Sequence, residues 1–263
     1  MIESKSGAHI LTFDDIKHFY SLDGSPVESV TTVIKGGSPE SPQLSSWKVK
    51  EGSKYTIEQL KLCPEPAIKL PQYLLDEVIS KSTQASRRTA QKAANIGSLV
   101  HEYAETIESK RSFDLSIVEQ HPDRDKIESC ISKFKEWKVQ NEDTIINHED
   151  IIASIANRYA GRFDRLAKRR SSIVLSDFKT SSGIYVDQFV QLAAYVIAIK
   201  EWLNIDVNAI EIVRFGKENG DFETKLVSNP GEIQEYKEQF LRNLATYKFI
   251  KKHEVPRLKR IAR

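Results

Sequence analysis

The sequence predicts an α/β protein with a mixed central sheet, in the order helix, three strands, helix, strand, flanked by further helices. Three observations predict it. Between 144 and 179 the texture changes to short β-rich runs, "TIINHEDIIASI", "RYAGRFDRLAK" and "SSIVLSDFK", joined by short connections. The stretches on either side are helix formers with apolar residues at three- and four-residue spacing. One more β-rich run, "VNAIEIVRF", follows the second helical stretch.

Taken in order, "IKHFYSLDGSPVESVTTVI" places an Asp23-Gly24 turn between β-rich flanks and predicts a hairpin. "KGGSPESPQLSS" at 35–46 reads as a loop, so residues 1–46 form an accessory hairpin and loop. Residues 71–96 are mostly helix formers with a basic cluster. A new helix is expected after Gly97, with Val100, Tyr103, Ala104 and Ile107 on one face. Helices are also predicted over 123–140, 186–203 and 231–250. The expected division is an accessory region over 1–96, a core over 97–214, and a C-terminal strand, helix and basic tail over 215–263, packed as one unit.

The composition is that of a soluble globular chain: 263 residues, 40% hydrophobic, with a net charge of only +2. Affinity for a polyanion must therefore come from local patches. Cys63 and Cys130 form no CxxC, which excludes a disulfide framework and a four-cysteine zinc or iron-sulfur site within one chain. The start lacks the apolar run of a secretory signal, and no stretch approaches the ~20 apolar residues of a membrane span. A reducing, cytoplasmic setting is expected, and no GxxxxGK[ST] motif is present.

Two aspartates interrupt the strand-like runs. If 159–168 and 173–179 form a hairpin closed by the loop 169–172, Lys168 faces Ile173, and counting back sets Asp164 opposite Asp177. Such neighbours have Cβ atoms about 4.5–5.5 Å apart, and like charges there destabilise a sheet. Period-2 alternation puts Asp177 and Lys179 on the same face as Ile173 and Leu175, which begins apolar and ends ionised. A divalent cation between the carboxylates resolves the conflict, and oxygen ligands of this kind suit Mg²⁺ or Mn²⁺ rather than zinc. Such an ion polarises a phosphate and acidifies water, while Lys179 orients the nucleophile or stabilises developing charge; the chemistry is phosphoester hydrolysis. The alternative is structural: Asp164 paired with Arg162 or Arg165, Asp177 ending a strand, and Lys179 solvated.

Further motifs bear on that choice. "GSLVHEYAE" at 97–105, "AGRFDRL" at 160–166, "DFKT" at 177–180 and "QLAAY" at 191–195 occur in this order. Together they resemble the PD-(D/E)XK nuclease superfamily, in particular its RecB-like exonuclease branch found in phages, over about residues 97–214. The resemblance implies a restriction-endonuclease-like core. From the GxxxH motif it implies that His101 is a metal ligand or orients one. From G-x-x-D and (D/E)xK it implies that Asp164 and Asp177 are the metal-binding acids, Lys179 the catalytic lysine, and the Phe178 carbonyl a further ligand. From Q-x-x-x-Y it implies that Gln191 and Tyr195 contact DNA or organise the site. Asp177 departs from the commoner Glu and shortens that ligand. Gln191 and Tyr195 share a helix face, as do His101 and Glu105, and a carboxylate beside an imidazole is a usual supporting arrangement. Glu149, entering the first core strand, sits where many members carry an acid. The "SVT" at 29–31 resembles an entry hairpin of phage members.

Basic residues cluster at Lys81, Arg87, Arg88 and Lys92, at Lys168–Arg170, and from Lys248 to Arg263. These are candidate surfaces for DNA phosphates, with Trp47 and Tyr55 as candidate stacking groups. The expectation is a stand-alone metal-dependent DNase acting from single- or double-stranded DNA ends, alone, as a homo-oligomer or with a phage recombination partner. The rivals are a sequence- or structure-directed endonuclease and a non-catalytic DNA-binding relative.

Overall fold

In the computed structural model, the described residues are 1–62, 71–141, 143–216 and 221–254. They fall into two units: Met1–Pro39 together with His101–Arg263, and Glu40–Val100.

The chain opens as a meander of β1 (Ile2–Ser6), β2 (His9–Asp14), β3 (Phe19–Leu22) and β4 (Ser25–Ser29), each antiparallel to the last. The expected turn closes β3 onto β4, with Asp23 and Gly24 at φ 52° and 75°, the left-handed values a two-residue hairpin requires. The flank beyond it departs from expectation. Val30–Gly37 is a helix, α1, despite its β-branched residues, because Ser29 caps it by accepting the Thr32 N–H at 3.0 Å. The loop expected over 35–46 shrinks accordingly, since α2 (Pro42–Lys61) starts with Ser41 as its cap and Pro42 in the first turn.

The unit Glu40–Val100 holds α2, α3 (Gln72–Thr83) and the first part of α4 (Ala85–Glu108). Gly97 does not begin a helix; α4 runs through it, the flanking helix formers carrying the cost of one interior glycine. Cys63 lies outside the described residues.

From His101 onward the core is assembled. After α5 (Ser116–Glu119) and α6 (Arg124–Gln140) come β5 (Thr144–Ser154), β6 (Tyr159–Arg169) and β7 (Ser172–Lys179), then α7 (Val186–Leu203), β8 (Ala209–Phe215), β9 (Phe222–Val227) and α8 (Pro230–His253). The sheet order is β1-β2-β3-β4-β6-β7-β8-β9, with β5 also paired to β6. It is mixed: β4 runs parallel to β6 and β7 parallel to β8, the other pairings being antiparallel. The β6–β7 turn spans two residues, Arg170 and Ser171, rather than the four expected. Both lengths give the same register, Lys168 opposite Ile173, because the loop shortens equally from each side.

The apolar side of α7, including Leu192, Ala194, Tyr195 and Ile199, packs into the main core with Ile151, Phe163 and Ile212 of the sheet. Phe134 and Trp137 of α6 lie edge-on to Phe178, both at 5.5 Å between ring centroids. Behind them, Arg165 is 1% exposed and pairs with Asp143 at 2.8 Å and Glu108 at 3.3 Å. Arg169 joins that network through Asp143 and Glu211, both at 2.9 Å. Of the basic turn cluster, then, Lys168 and Arg170 are exposed, while Arg169 already has carboxylate partners. Among the described residues, no helix is long and apolar enough to cross a membrane.

Candidate active site

The β6–β7 ladder ends at Arg165 opposite Ser176, one step short of Asp164 and Asp177. At that step Asp164 Oδ2 accepts the Phe178 backbone N–H at 2.7 Å. On its other side β6 pairs with β5 at His148–Arg165 and Asp150–Phe163, which leaves Glu149 and Asp164 facing each other between those pairs. Glu149 has φ 48°, a conformation that costs a non-glycine residue roughly 1–3 kcal/mol and persists only where the surroundings enforce it. α4 adds His101, whose Nδ1 is 3.5 Å from Asp164 Oδ2.

His101, Glu149 and Asp164 each offer a ligand atom, and these lie within 4.8 Å of one another. Asp177 stands beside this group and is 1% exposed. Its Oδ2 forms an ion pair with Lys179 Nζ at 2.5 Å but has no aligned hydrogen-bond donor. Gln191 bridges the neighbours: its Nε2 is 3.4 Å from Asp177 Oδ1 and 3.1 Å from the Tyr195 hydroxyl, and its Oε1 is 3.5 Å from Lys179 Nζ. Glu105, one turn beyond His101, is near Arg162 and Arg111 rather than the imidazole. Of Phe178 the structure shows the amide on Asp164 and the ring 6.3 Å from that of His101.

Charge in this cluster is unbalanced. Burial, reinforced by Asp164 and opposed by Arg162, pushes the Glu149 carboxyl up to about 8. Burial also pushes Asp177 up to about 6, against the pull of Lys179 and with Asp164 adding to the rise. Lys179 is held above its ordinary value: burial pulls it down, but Asp177 and then Asp164 outweigh that. The cations present do not satisfy the carboxylates, and the donor set of one imidazole and oxygen ligands fits a hard divalent ion.

The glycine of G-x-x-D also finds its reason here. A Cβ on Gly161 would sit 2.5 Å from Tyr195 Cε1 and 3.3 Å from Val30 Cγ2. Gly161 therefore provides clearance for the Tyr195 ring, which in turn holds Gln191. Gly161→Ala should cost about 1–3 kcal/mol by overpacking. It should also slow any cleavage by roughly 10- to 100-fold by displacing Gln191. Thermal melts together with steady-state rates check both parts, and a variant with unchanged rate would uncouple the two motifs.

Arg87 and Arg88 are exposed in the unit Glu40–Val100, where Arg88 lies 4.9 Å over the Tyr55 ring and donates to the Lys81 carbonyl. Of the C-terminal basic cluster, residues 255–263 lie outside the described ones. Tyr20 was not legible as a neighbour of the site: it is buried on β3, and its hydroxyl, pushed up to about 12 chiefly by burial, feels the charges of Arg162 and Glu149.

The mixed sheet and α4 thus bring clustered acids, a lysine and an imidazole together in one candidate site. The model of the PD-(D/E)XK nuclease superfamily matches residues 71–257, and the chain belongs to that superfamily. Its members use divalent metals. Among solved structures, the chain is similar to a candidate exonuclease from Eubacterium rectale, with 14% identity, 62% of this chain and 68% of that one covered, and a TM-score of 0.42. It is also similar to an alkaline exonuclease from Laribacter hongkongensis, with 11% identity, coverages of 46% and 68%, and a TM-score of 0.28. None of the curated proteins matches the sequence.

Proposed function

We propose that the chain is a divalent-metal-dependent DNA exonuclease. The observation that supports this most is the convergence of His101, Glu149 and Asp164 beside the Asp177–Lys179–Gln191 contacts. His101, Glu149, Asp164 and Asp177, with the Phe178 carbonyl, would hold Mg²⁺ or Mn²⁺. The ion supplies charge stabilisation at the phosphate and a nucleophile at neutral pH.

The chain's own groups do the rest. Lys179, kept protonated by Asp177 and Asp164, presents its ammonium to the oxygen on which charge develops. Gln191 fixes the lysine and Asp177 in one geometry, and Tyr195, a neutral hydroxyl because burial holds its pKa well above 10, anchors Gln191. Asp164, tied to the Phe178 amide, keeps its carboxylate aimed at the site. Action from DNA ends, and a role in phage DNA recombination, repair or degradation, rest on the RecB-like motif set. Arg87 and Arg88 are proposed to contact DNA phosphates.

The test is degradation of end-labelled linear single- and double-stranded DNA beside a closed circle, in Mg²⁺, Mn²⁺ or EDTA. Loss of linear DNA only, in metal only, is expected. Cutting of the circle would replace the proposal with an endonuclease, and binding without cutting would replace it with a non-catalytic DNA-binding protein. Lys179→Ala should still bind DNA and Mn²⁺ but turn over roughly 10²–10³-fold more slowly; a near wild-type rate would remove the lysine from the mechanism.

A further inference from the structure

We infer that Arg162 is a positioning residue that ties the helix carrying His101 to the strand carrying Glu149, and thereby sets the geometry of the cation site. The inference rests on the reading of that site proposed above. Arg162 shares a face of β6 with Asp164, two residues on, so it stands next to the site without being able to serve as a ligand. Its Nε is 2.8 Å from Glu149 Oε2 and 3.1 Å from the Glu149 carbonyl oxygen. One N–H thus restrains both the side chain and the backbone of the residue whose φ of 48° needs enforcement.

The other end of the guanidinium faces α4. Nη2 is 3.7 Å from Glu105 Oε2, and Glu105 follows His101 by one helical turn. Glu105 is itself held from the far side by Arg111 Nη2 at 3.1 Å. The run Arg111, Glu105, Arg162, Glu149 is therefore a chain of ion pairs, its Arg162–Glu105 step a 3.7 Å contact, between two ligand-bearing elements that share no backbone pairing. A planar fork with donors pointing two ways can span both carboxylates; a lysine, a single point charge, lacks that fixed two-sided donor geometry.

A bland alternative makes the opposite prediction. If Arg162 were only a countercharge that offsets excess carboxylate, removing it would make the site more negative and would tighten cation binding. If it positions ligands, removing it weakens binding.

The experiment is Mn²⁺ binding to the full chain at pH 8, followed by calorimetry and by loss of the free-ion electron paramagnetic resonance signal. It compares wild type with Arg162→Met, Arg162→Lys and Glu105→Gln, with melts in EDTA to establish folding. Arg162→Met should weaken Mn²⁺ binding about 10- to 100-fold, as loss of a ligand-orienting group typically does. Arg162→Lys should recover only part of that, and Glu105→Gln should lose a few-fold. Equal or tighter binding by Arg162→Met, or full recovery by Lys, would overturn the inference. Should the Met variant fail to fold, the Lys and Glu105 variants decide it by the same criteria. A wild type that binds no Mn²⁺ would instead remove the cation site itself, and this inference with it.

Discussion

Asp177→Asn should remain folded and lose cleavage, with turnover in Mg²⁺ or Mn²⁺ reduced by at least roughly 10²–10³-fold. The expectation joins two facts about one side chain. Asp177 is almost fully buried, and its carboxyl is pushed up to about 6, first by burial and further by Asp164, with Lys179 pulling the other way. At pH 8 the wild-type protein must keep this group ionised in a site that disfavours the charge. Asn has the same shape, keeps an oxygen for Gln191, and carries no charge to desolvate. It does deprive Lys179 of its nearest carboxylate, but Asp164 still attracts that ammonium. The melting temperature in EDTA at pH 8 should therefore match wild type or exceed it by a few degrees. Melts with and without metal, beside cleavage assays, separate the readings. An unfolded variant would make the aspartate structural, and a folded, active one would take it out of the site.

What the sequence disclosed about this region, and what it did not, follows from the range of the interactions involved. β5, β6 and β7 were legible because alternation and β-branched composition are local. The β6–β7 register is legible whether the turn has two residues or four, since a symmetric change of loop leaves every cross-strand pair intact. α7 was expected over 186–203 and occupies Val186–Leu203, an apolar stretch with Asn204 closing it in the left-handed conformation. α1 is not legible because Val30, Thr31, Thr32 and Val33 favour strands, and only the capping by Ser29 and packing against α8 decide otherwise. That packing is close: a Cβ on Gly37 would overlap the Asn243 carbonyl, and one on Gly36 would meet the Tyr247 ring at 2.5 Å. The contact of Gly161 with Tyr195 joins residues distant in the chain, so no spacing rule could reveal it. The left-handed Glu149 opposite Asp164 was equally hidden, although the resemblance singles out its acid.

Without metal, thermal stability should fall as the pH is raised from about 5 to about 8.5, and added Mn²⁺ should restore it more at the upper end. The unfolded chain titrates its aspartates and glutamates near their ordinary values of about 3.9 and 4.3. In the folded protein Asp177 is pushed up to about 6 and Glu149 to about 8, in both cases chiefly by burial. Between those limits the folded state holds more protons than the unfolded one, so raising the pH removes stability. The stabilisation is complete below the unfolded values and is lost through pH 6 for Asp177 and pH 8 for Glu149. A tenfold difference in proton affinity between the folded and unfolded chain corresponds to about 1.4 kcal/mol. With about 2–4 °C per kcal/mol for a chain of this size, a fall of roughly 5 °C or more is expected. A divalent cation opposes the trend because it needs the ionised carboxylates: at pH 6 it must displace the Glu149 proton, whereas at pH 8.5 that proton is largely gone. Glu149→Gln should flatten the metal-free profile and shrink the gain from Mn²⁺. Melts across pH with EDTA or Mn²⁺ read both effects. A metal-free profile flat from pH 5 to 8.5, or a Mn²⁺ gain independent of pH, would mean that Glu149 and Asp177 do not share a site with Asp164 in the way their crowding implies.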